Sequence, residues 1–239
     1  MARAGWHYVT LDMEHTAVDW EKASIIFGMV ADAGCVPLCR VPDGTTENIK
    51  RALDAGAWGI VAPMVDTVEQ AQTIIDAAYY PPFGKRSVGG GTHYLSFGTS
   101  DETYKSHANV EIVVILMTES PRGVANAPAI YSLTGVDAIF VGPNDMRAQM
   151  TRTLPGGRKP TPAEFEEAMG AVLAAGKAAG TPVGIHTFSV AECKERVAQG
   201  FRFMAMSSDA GLVAEAAQRA VAELGVAREG GVTGGAAAY

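Results

Sequence analysis

The sequence predicts an α/β fold, a (β/α)8 TIM barrel that lacks its first βα unit at the N-terminus. Three observations predict it. A helix that stops at Gly and passes at once into an apolar strand recurs at Gly34, Gly56, Gly135, Gly180 and Gly200. Glycine accepts the left-handed conformation in which many helices end. The strands themselves are near-unbroken apolar runs, as expected for a parallel sheet covered on both faces. Helices and strands alternate throughout, and seven strands can be read in 239 residues, one short of a full barrel.

In chain order, the first strand is WHYVTLDM, residues 6–13. Ala4-Gly5 before it resembles the same helix-stop junction with no helix ahead of it, so the chain reads as beginning in mid-repeat. A barrel short of a strand exposes two edges that something must cover. The alternative is an ordinary N-terminus with a flexible Gly5. The later strands are VPLCRV, AWGIVAPM, IVVILM (112–117), 137–141, TPVGIHT and FRFMAMSS. Helices are expected over 19–33, 46–55, 68–77, 124–133, 162–179 and 190–199, each with an apolar stripe to lay on the sheet. Residues 80–109, rich in Pro, Gly and Ser, read as one long irregular loop, and long loops in compact domains are usually functional. Gly89-Gly90-Gly91 within it is no phosphate loop, since no Gly-Lys-Ser/Thr follows. Residues 151–160 read as a second flexible loop. An Ala-rich helix should run from 209 to near 228, which leaves 1–228 as one domain and 229–239 as a flexible tail.

The composition narrows the function. A net charge of −7 argues against nucleic acid or an anionic membrane as partner. No apolar run approaches the roughly 20 residues of a membrane span, and no signal peptide opens the chain. Cys35, Cys39 and Cys193 are odd in number and widely spaced, which suits small core residues rather than a disulfide framework. A cytoplasmic location is the default expectation.

The stretch 111–149 carries the strongest chemical signal. Glu119 lies just beyond one buried strand, and Asp145 lies beyond the next, in the turn Gly142-Pro143-Asn144. Consecutive parallel strands end on one side, where α/β enzymes build their sites. Two carboxylates with no adjacent Cys or His suit an oxygen-liking divalent cation such as Mg²⁺ or Mn²⁺. The alternative makes Glu119 a solvated loop acid and Asp145 a helix N-cap. Other strand ends add Asp12-Met13-Glu14-His15, Arg40, and Pro63-Met64 with Asp66. An Arg beside a metal can hold an oxyanion bidentately, and a His there can carry protons. His15 could instead be a helix-entry residue, and Arg40 could simply pair with Asp12 or Glu14. Asp54 ends a helix that precedes a strand, at the opposite end of the barrel. It could serve this site only if another subunit supplies it.

Asp12-Met13-Glu14-His15, Arg40-Val41-Pro42, Leu53-Asp54-Ala55-Gly56, Pro63-Met64-Val65, Tyr80-Pro81-Pro82-Phe83-Gly84-Lys85-Arg86, Thr118-Glu119-Ser120 and Gly135-Val136-Asp137 through Gly142-Pro143-Asn144-Asp145 occur in an order that resembles the HpcH/HpaI aldolase family. These are class II pyruvate aldolases, such as the 2,4-dihydroxyhept-2-ene-1,7-dioic acid aldolases. The resemblance covers about residues 4–213. It implies a barrel of the phosphoenolpyruvate/pyruvate type, assembled as trimers or hexamers with sites at subunit contacts. It implies that Glu119 and Asp145 bind Mg²⁺, Mn²⁺ or Co²⁺, and that Arg40 holds the pyruvate keto oxygen. His15 would move protons with Asp54 of a neighbouring subunit as its partner, the backbone of Gly142, Pro143 and Asn144 would receive the pyruvate carboxylate, and Asp12 would support them. Two departures stand out. The family normally starts with one more strand and helix, and Met117 replaces a usual Gln whose amide could donate a hydrogen bond.

The expected activity is metal-dependent formation or cleavage of a C–C bond between pyruvate, as its enolate, and an aldehyde, on 2-keto-4-hydroxy acids. A Schiff-base route would need a lysine inside the barrel. The predicted strands contain none, and Lys85 and Lys105 fall in the long loop. The alternatives are oxaloacetate decarboxylation or other enolate chemistry, a CoA-ester lyase of the citrate-lyase type, which the motifs disfavour, and a truncated non-catalytic keto-acid-binding paralogue.

Overall fold

The computed structural model describes residues 1–89 and 93–226. Seven strands lie side by side in chain order, all parallel: β1 (Tyr8–Asp12), β2 (Val36–Arg40), β3 (Gly59–Ala62), β4 (Val113–Thr118), β5 (Ala138–Val141), β6 (Val183–Thr187) and β7 (Phe203–Met206). Parallel neighbours need crossover connections, and helices supply them. They are α1 (Trp20–Asp32), α2 (Thr46–Asp54), α3 (Val68–Ala78), α4 (Asp101–Glu111), α5 (Pro121–Tyr131), α6 (Pro143–Thr153), α7 (Pro162–Ala179), α8 (Val190–Gln199) and, after the last strand, α9 (Asp209–Leu224).

Short polar side chains start most of these helices. Asp19, Thr67, Ser100, Ser120, Thr161, Ser189 and Ser208 each accept a hydrogen bond from a backbone N–H in the first turn. Such a cap stabilises a helix by about 1 kcal/mol. At the other end, all five glycines that mark the junctions have positive φ, from 74° at Gly180 to 119° at Gly200.

The two faces of the sheet follow the strand alternation. Ile60, Ala62, Val114, Leu116, Ile139, Val141, Val183 and Ile185 face the helices in the main core. Leu38, Val61, Ile115, Met117, Ala138 and Phe140 face inward as a second cluster, joined by Tyr8 and Phe203. That inner cluster exists because the sheet curls. The edge strands approach each other at their lower ends, where Tyr8 stacks on Phe203 with ring centroids 4.6 Å apart. Tyr8 Oη also donates to the Met204 carbonyl at 2.5 Å. Side chains, not a backbone ladder, bridge β1 and β7. The result is a curled, TIM-like parallel sheet of seven described strands rather than a closed eight-stranded barrel.

Three expectations need correction. Residues 80–109 are not one irregular loop: His93–Phe97 form a 3-10 turn and α4 occupies the end, capped by Ser100. Its apolar anchors are only Tyr104 and Ala108, too sparse a pattern to stand out. Lys105 is therefore helical and pairs with Asp101. Residues 151–153 belong to α6 rather than to a loop. The last helix ends at Leu224 with Gly225 as its left-handed cap, and the expected tail, like Gly90 and Gly91, lies outside the described residues. α9 buries none of its residues. Among the described residues no helix is long and apolar enough to cross a membrane.

Candidate active site

The site forms where β1, β2, β4, β5 and β6 end. Met117 is the last inward residue of β4, 1 % exposed. Two residues on, alternation brings Glu119 to the same side, also 1 % exposed. It is not the solvated loop acid that its position beyond the strand allowed. Met64, after β3, adopts φ 55° and donates its backbone N–H to Glu119 Oε2 at 2.9 Å. On the other side the carboxylate lies over Gly142: a Cβ there would fall 2.1 Å from Glu119 Oε1. Gly142 must be glycine for space, not for conformation.

Burial pushes the Glu119 carboxyl up to about 8, further raised by Asp145 and Glu14, against the opposing Met64 N–H and the Arg40 charge. With Asp145 and Glu14 adding negative charge and Arg40 opposing it, further positive charge here would stabilise the ionised Glu119. Asp145 sits in the first turn of α6, which begins at Pro143. Asp145 is thus inside a helix rather than in a turn, and the N-cap is Gly142, not Asp145. The helix N-terminus favours a negative group at this point.

Arg40 projects from the end of β2, with a side chain 20 % exposed. It meets Asp12, its partner across the β1–β2 ladder, through two bonds: Nε to Oδ1 at 2.8 Å and Nη2 to Oδ2 at 2.5 Å. Its third nitrogen, Nη1, lies 3.3 Å from Glu14 Oε2. Burial works to raise Asp12, but the Arg40 hydrogen bonds and charge outweigh it and hold the carboxyl below its ordinary value. Burial raises Glu14 despite Arg40. The pairing with Asp12 and Glu14 is therefore real, and it fixes the guanidinium at the mouth of the curled sheet.

His15 follows at the rim, its side chain 50 % exposed and Nε2 3.6 Å from Glu14. Asp54 is not brought near it within the chain. It ends α2 at the opposite end of the sheet and pairs with Arg86, Nη2 to Oδ1 at 2.7 Å. Arg86 is almost wholly buried, donates to Tyr104 Oη and lies over the Tyr80 ring, 4.6 Å from its centroid. No local signal links Arg86 to Asp54, because the two are 32 residues apart in the chain. Sequence reading also missed His186, an inward-facing residue of β6 whose only signal was a polar residue in an otherwise apolar strand.

Two carboxylates could hold a cation here, Glu119 and Asp145. Among the described residues no three His, Cys, Asp or Glu side chains form a ready-made metal cluster. That suits a hard cation such as Mg²⁺, which commonly keeps one or two protein carboxylates and completes its shell with water and substrate oxygens. A depression of about 190 Å³ lined by His7, Tyr8, Leu38, Ile115 and Phe203 lies at the other end of the strands and is almost wholly apolar.

Comparison with known proteins agrees with this geometry. The HpcH/HpaI aldolase/citrate lyase family matches residues 1–216. A hydroxypyruvate/pyruvate aldolase of Rhizorhabdus wittichii is 31% identical over 93% of this chain and 87% of its own. A 2-keto-3-deoxy-L-rhamnonate aldolase of Klebsiella pneumoniae is 31% identical over 92% of this chain and 81% of its own. The crystal structure of a family protein from Burkholderia cenocepacia superposes with a TM-score of 0.84 at 34% identity, covering 93% of this chain and 87% of that one. With carboxylates, arginine and histidine gathered at the strand ends of a TIM-like sheet, the chain belongs to the HpcH/HpaI aldolase/citrate lyase family and is a carbon–carbon lyase.

Proposed function

We propose that this protein is a divalent-metal-dependent pyruvate aldolase, which joins the pyruvate enolate to an aldehyde or cleaves the corresponding 2-keto-4-hydroxy acid. One observation carries the reading: the Glu119 carboxyl is buried at the strand ends, held by the Met64 N–H and leaning over Gly142, where Asp145 and Glu14 add negative charge and Arg40 opposes it. Glu119 and Asp145 would hold Mg²⁺, Mn²⁺ or Co²⁺, and oxygen ligands admit all three. A cation so bound supplies Lewis acidity that makes the C3 protons of pyruvate easier to remove.

The protein's own groups do the rest. The start of α6, from Gly142 through Asn144, offers backbone N–H groups and a favourable dipole to the pyruvate carboxylate; Pro143 has no N–H, so the donors are its neighbours. Arg40, oriented by its two bonds to Asp12, meets the negative charge that develops on the keto oxygen. Held rigidly before the reaction, it needs little reorganisation. His15 takes the C3 proton and returns one to the new hydroxyl, its exposure letting it exchange with solvent. Asp54 of a neighbouring subunit would orient the imidazole, which requires a homo-oligomer, a trimer or hexamer. Met117, the inward residue two positions before Glu119, has a thioether that can donate no hydrogen bond.

The test is retro-aldol cleavage of a 2-keto-4-hydroxy acid with metal removed and restored. Glu119→Ala should abolish the metal-dependent turnover while the protein stays folded. Undiminished turnover in that variant removes the metal assignment.

A further inference from the structure

His186 is an inward-facing titratable group of the curled sheet that the reading above does not use. Its position follows from register. Thr118 pairs with Val141 and Val141 with Ile185. One step on, Glu119, Gly142 and His186 stand in a row across three adjacent strand ends. Neighbouring strands are about 4.8 Å apart, so the Cα atoms of Glu119 and His186 are separated by roughly 10 Å. The Glu119 carboxylate leans over Gly142 between them.

Alternation sends Val183 and Ile185 into the helix-side core and His186 to the inner side. Its ladder partner on β7 is Ala205, whose small side chain leaves the ring room. Phe188 holds one flank of the imidazole edge-on, centroids 4.8 Å apart. The ring is half-buried. Burial lowers its pKa, and the Arg40 charge lowers it further, so it is neutral near pH 7. A neutral imidazole offers one donor and one acceptor. Among the described residues no hydrogen bond engages either ring nitrogen. A histidine kept for packing alone would more simply be apolar, as Phe140 and Phe203 are in the layer beneath.

We infer that His186 is the acceptor-reading residue of this site: its imidazole hydrogen-bonds the hydroxyl of a 2-hydroxyaldehyde whose carbonyl carbon meets the pyruvate enolate. This rests on the aldolase reading above. Pyruvate occupies the Glu119, Asp145 and Arg40 side of the mouth, and β6 borders the side left for the aldehyde. The imidazole stays outside the bond-making atoms. The C–C bond forms between pyruvate C3 and the aldehyde carbon, and the proton on the new hydroxyl comes from the His15 side.

The test compares glycolaldehyde with propanal, which replaces the hydroxyl by a methyl group. The readout is the ratio of their kcat/KM values with pyruvate and Mg²⁺, so any general loss of enolate formation cancels. Wild-type protein should favour glycolaldehyde by about 10-fold to 100-fold. In His186→Leu, and in His186→Phe run beside it to guard against a packing defect in either, the ratio should fall to within about threefold of unity. His186→Gln, which can still hydrogen-bond, should retain most of the preference. A wild-type ratio near one, or a preference that survives in both apolar variants, overturns the assignment. Exchange of pyruvate C3 protons in wild-type protein, which needs no aldehyde, separates the two levels. Its absence would defeat the aldolase reading itself, whereas exchange with an unaltered ratio would defeat only the role of His186.

Discussion

Replacing Glu119 by Gln should make the metal-free protein more stable and leave it inactive. The carboxyl titrates at about 8 in the fold against 4.5 for the ordinary side chain. Between these values the folded protein binds more protons than the unfolded chain, so stability falls as pH rises through that window. At about 1.4 kcal/mol per pH unit, the deficit at pH 7 is about 3 kcal/mol. Gln is neutral at every pH, keeps the shape, and can still accept the Met64 N–H that Glu119 accepts at 2.9 Å. The variant should therefore gain about 3 kcal/mol at pH 7, or about 6–12 °C in Tm for a chain of this size, and almost nothing at pH 4.5. The assay is thermal unfolding of both proteins from pH 4.5 to 8 in the presence of a chelator, with the difference between them plotted against pH. Mg²⁺ added back should then stabilise the wild type and not the variant, because only the wild type retains both carboxylates. If the difference is flat with pH, Glu119 is not a buried charge in need of a cation, and the reasoning fails.

Other consequences follow from single contacts. Gly142→Ala places a methyl group 2.1 Å from Glu119 Oε1, so the carboxylate must move; Mn²⁺ affinity by titration calorimetry should fall at least about tenfold, since misplaced ligands and supports commonly cost 10-fold to 100-fold. Unchanged affinity would mean the carboxylate is not a ligand there. Arg40→Ala should lower kcat/KM by about 100-fold to 1,000-fold, the usual cost of one stabilising donor, while costing far less in metal affinity. A collapse of metal binding instead would reverse the division of labour. Arg86→Met removes the buried partner of Asp54, whose own side chain is 28 % exposed, and the hydrogen bond to Tyr104. Urea unfolding should show a loss of about 1–3 kcal/mol, and a loss near zero would show that the pair is not structural.

The fold was legible because its signals are local. Apolar runs such as IVVILM can satisfy their backbone only in a covered sheet. Caps such as Asp19 and Thr161 and stops such as Gly180 and Gly200 bound helices within the same few residues. α4 was missed because it buries only two side chains, so no periodic stripe marks it. Closure was less legible, because the contact that draws the edges together, Tyr8 on Phe203, joins residues almost 200 positions apart. In the site, Glu119 and Asp145 announced themselves by standing just past buried strands. What sequence could not carry was environment. Nothing local to Glu119 says that Gly142 admits its carboxylate, that Met64 turns its N–H toward it, or that Arg40 is already held by Asp12. His186 was overlooked because its meaning lies in register with Gly142, one strand away.

The most direct test of the central claim is proton NMR of pyruvate in D₂O with the purified protein, first stripped by chelator and then supplied with Mg²⁺ or Co²⁺. The assay follows enolate formation alone and assumes no aldehyde. The account predicts that the C3 protons exchange only when metal is present, and that Glu119→Gln abolishes the exchange. Folded wild-type protein that shows no exchange with either metal, or equal exchange with and without it, would contradict the account.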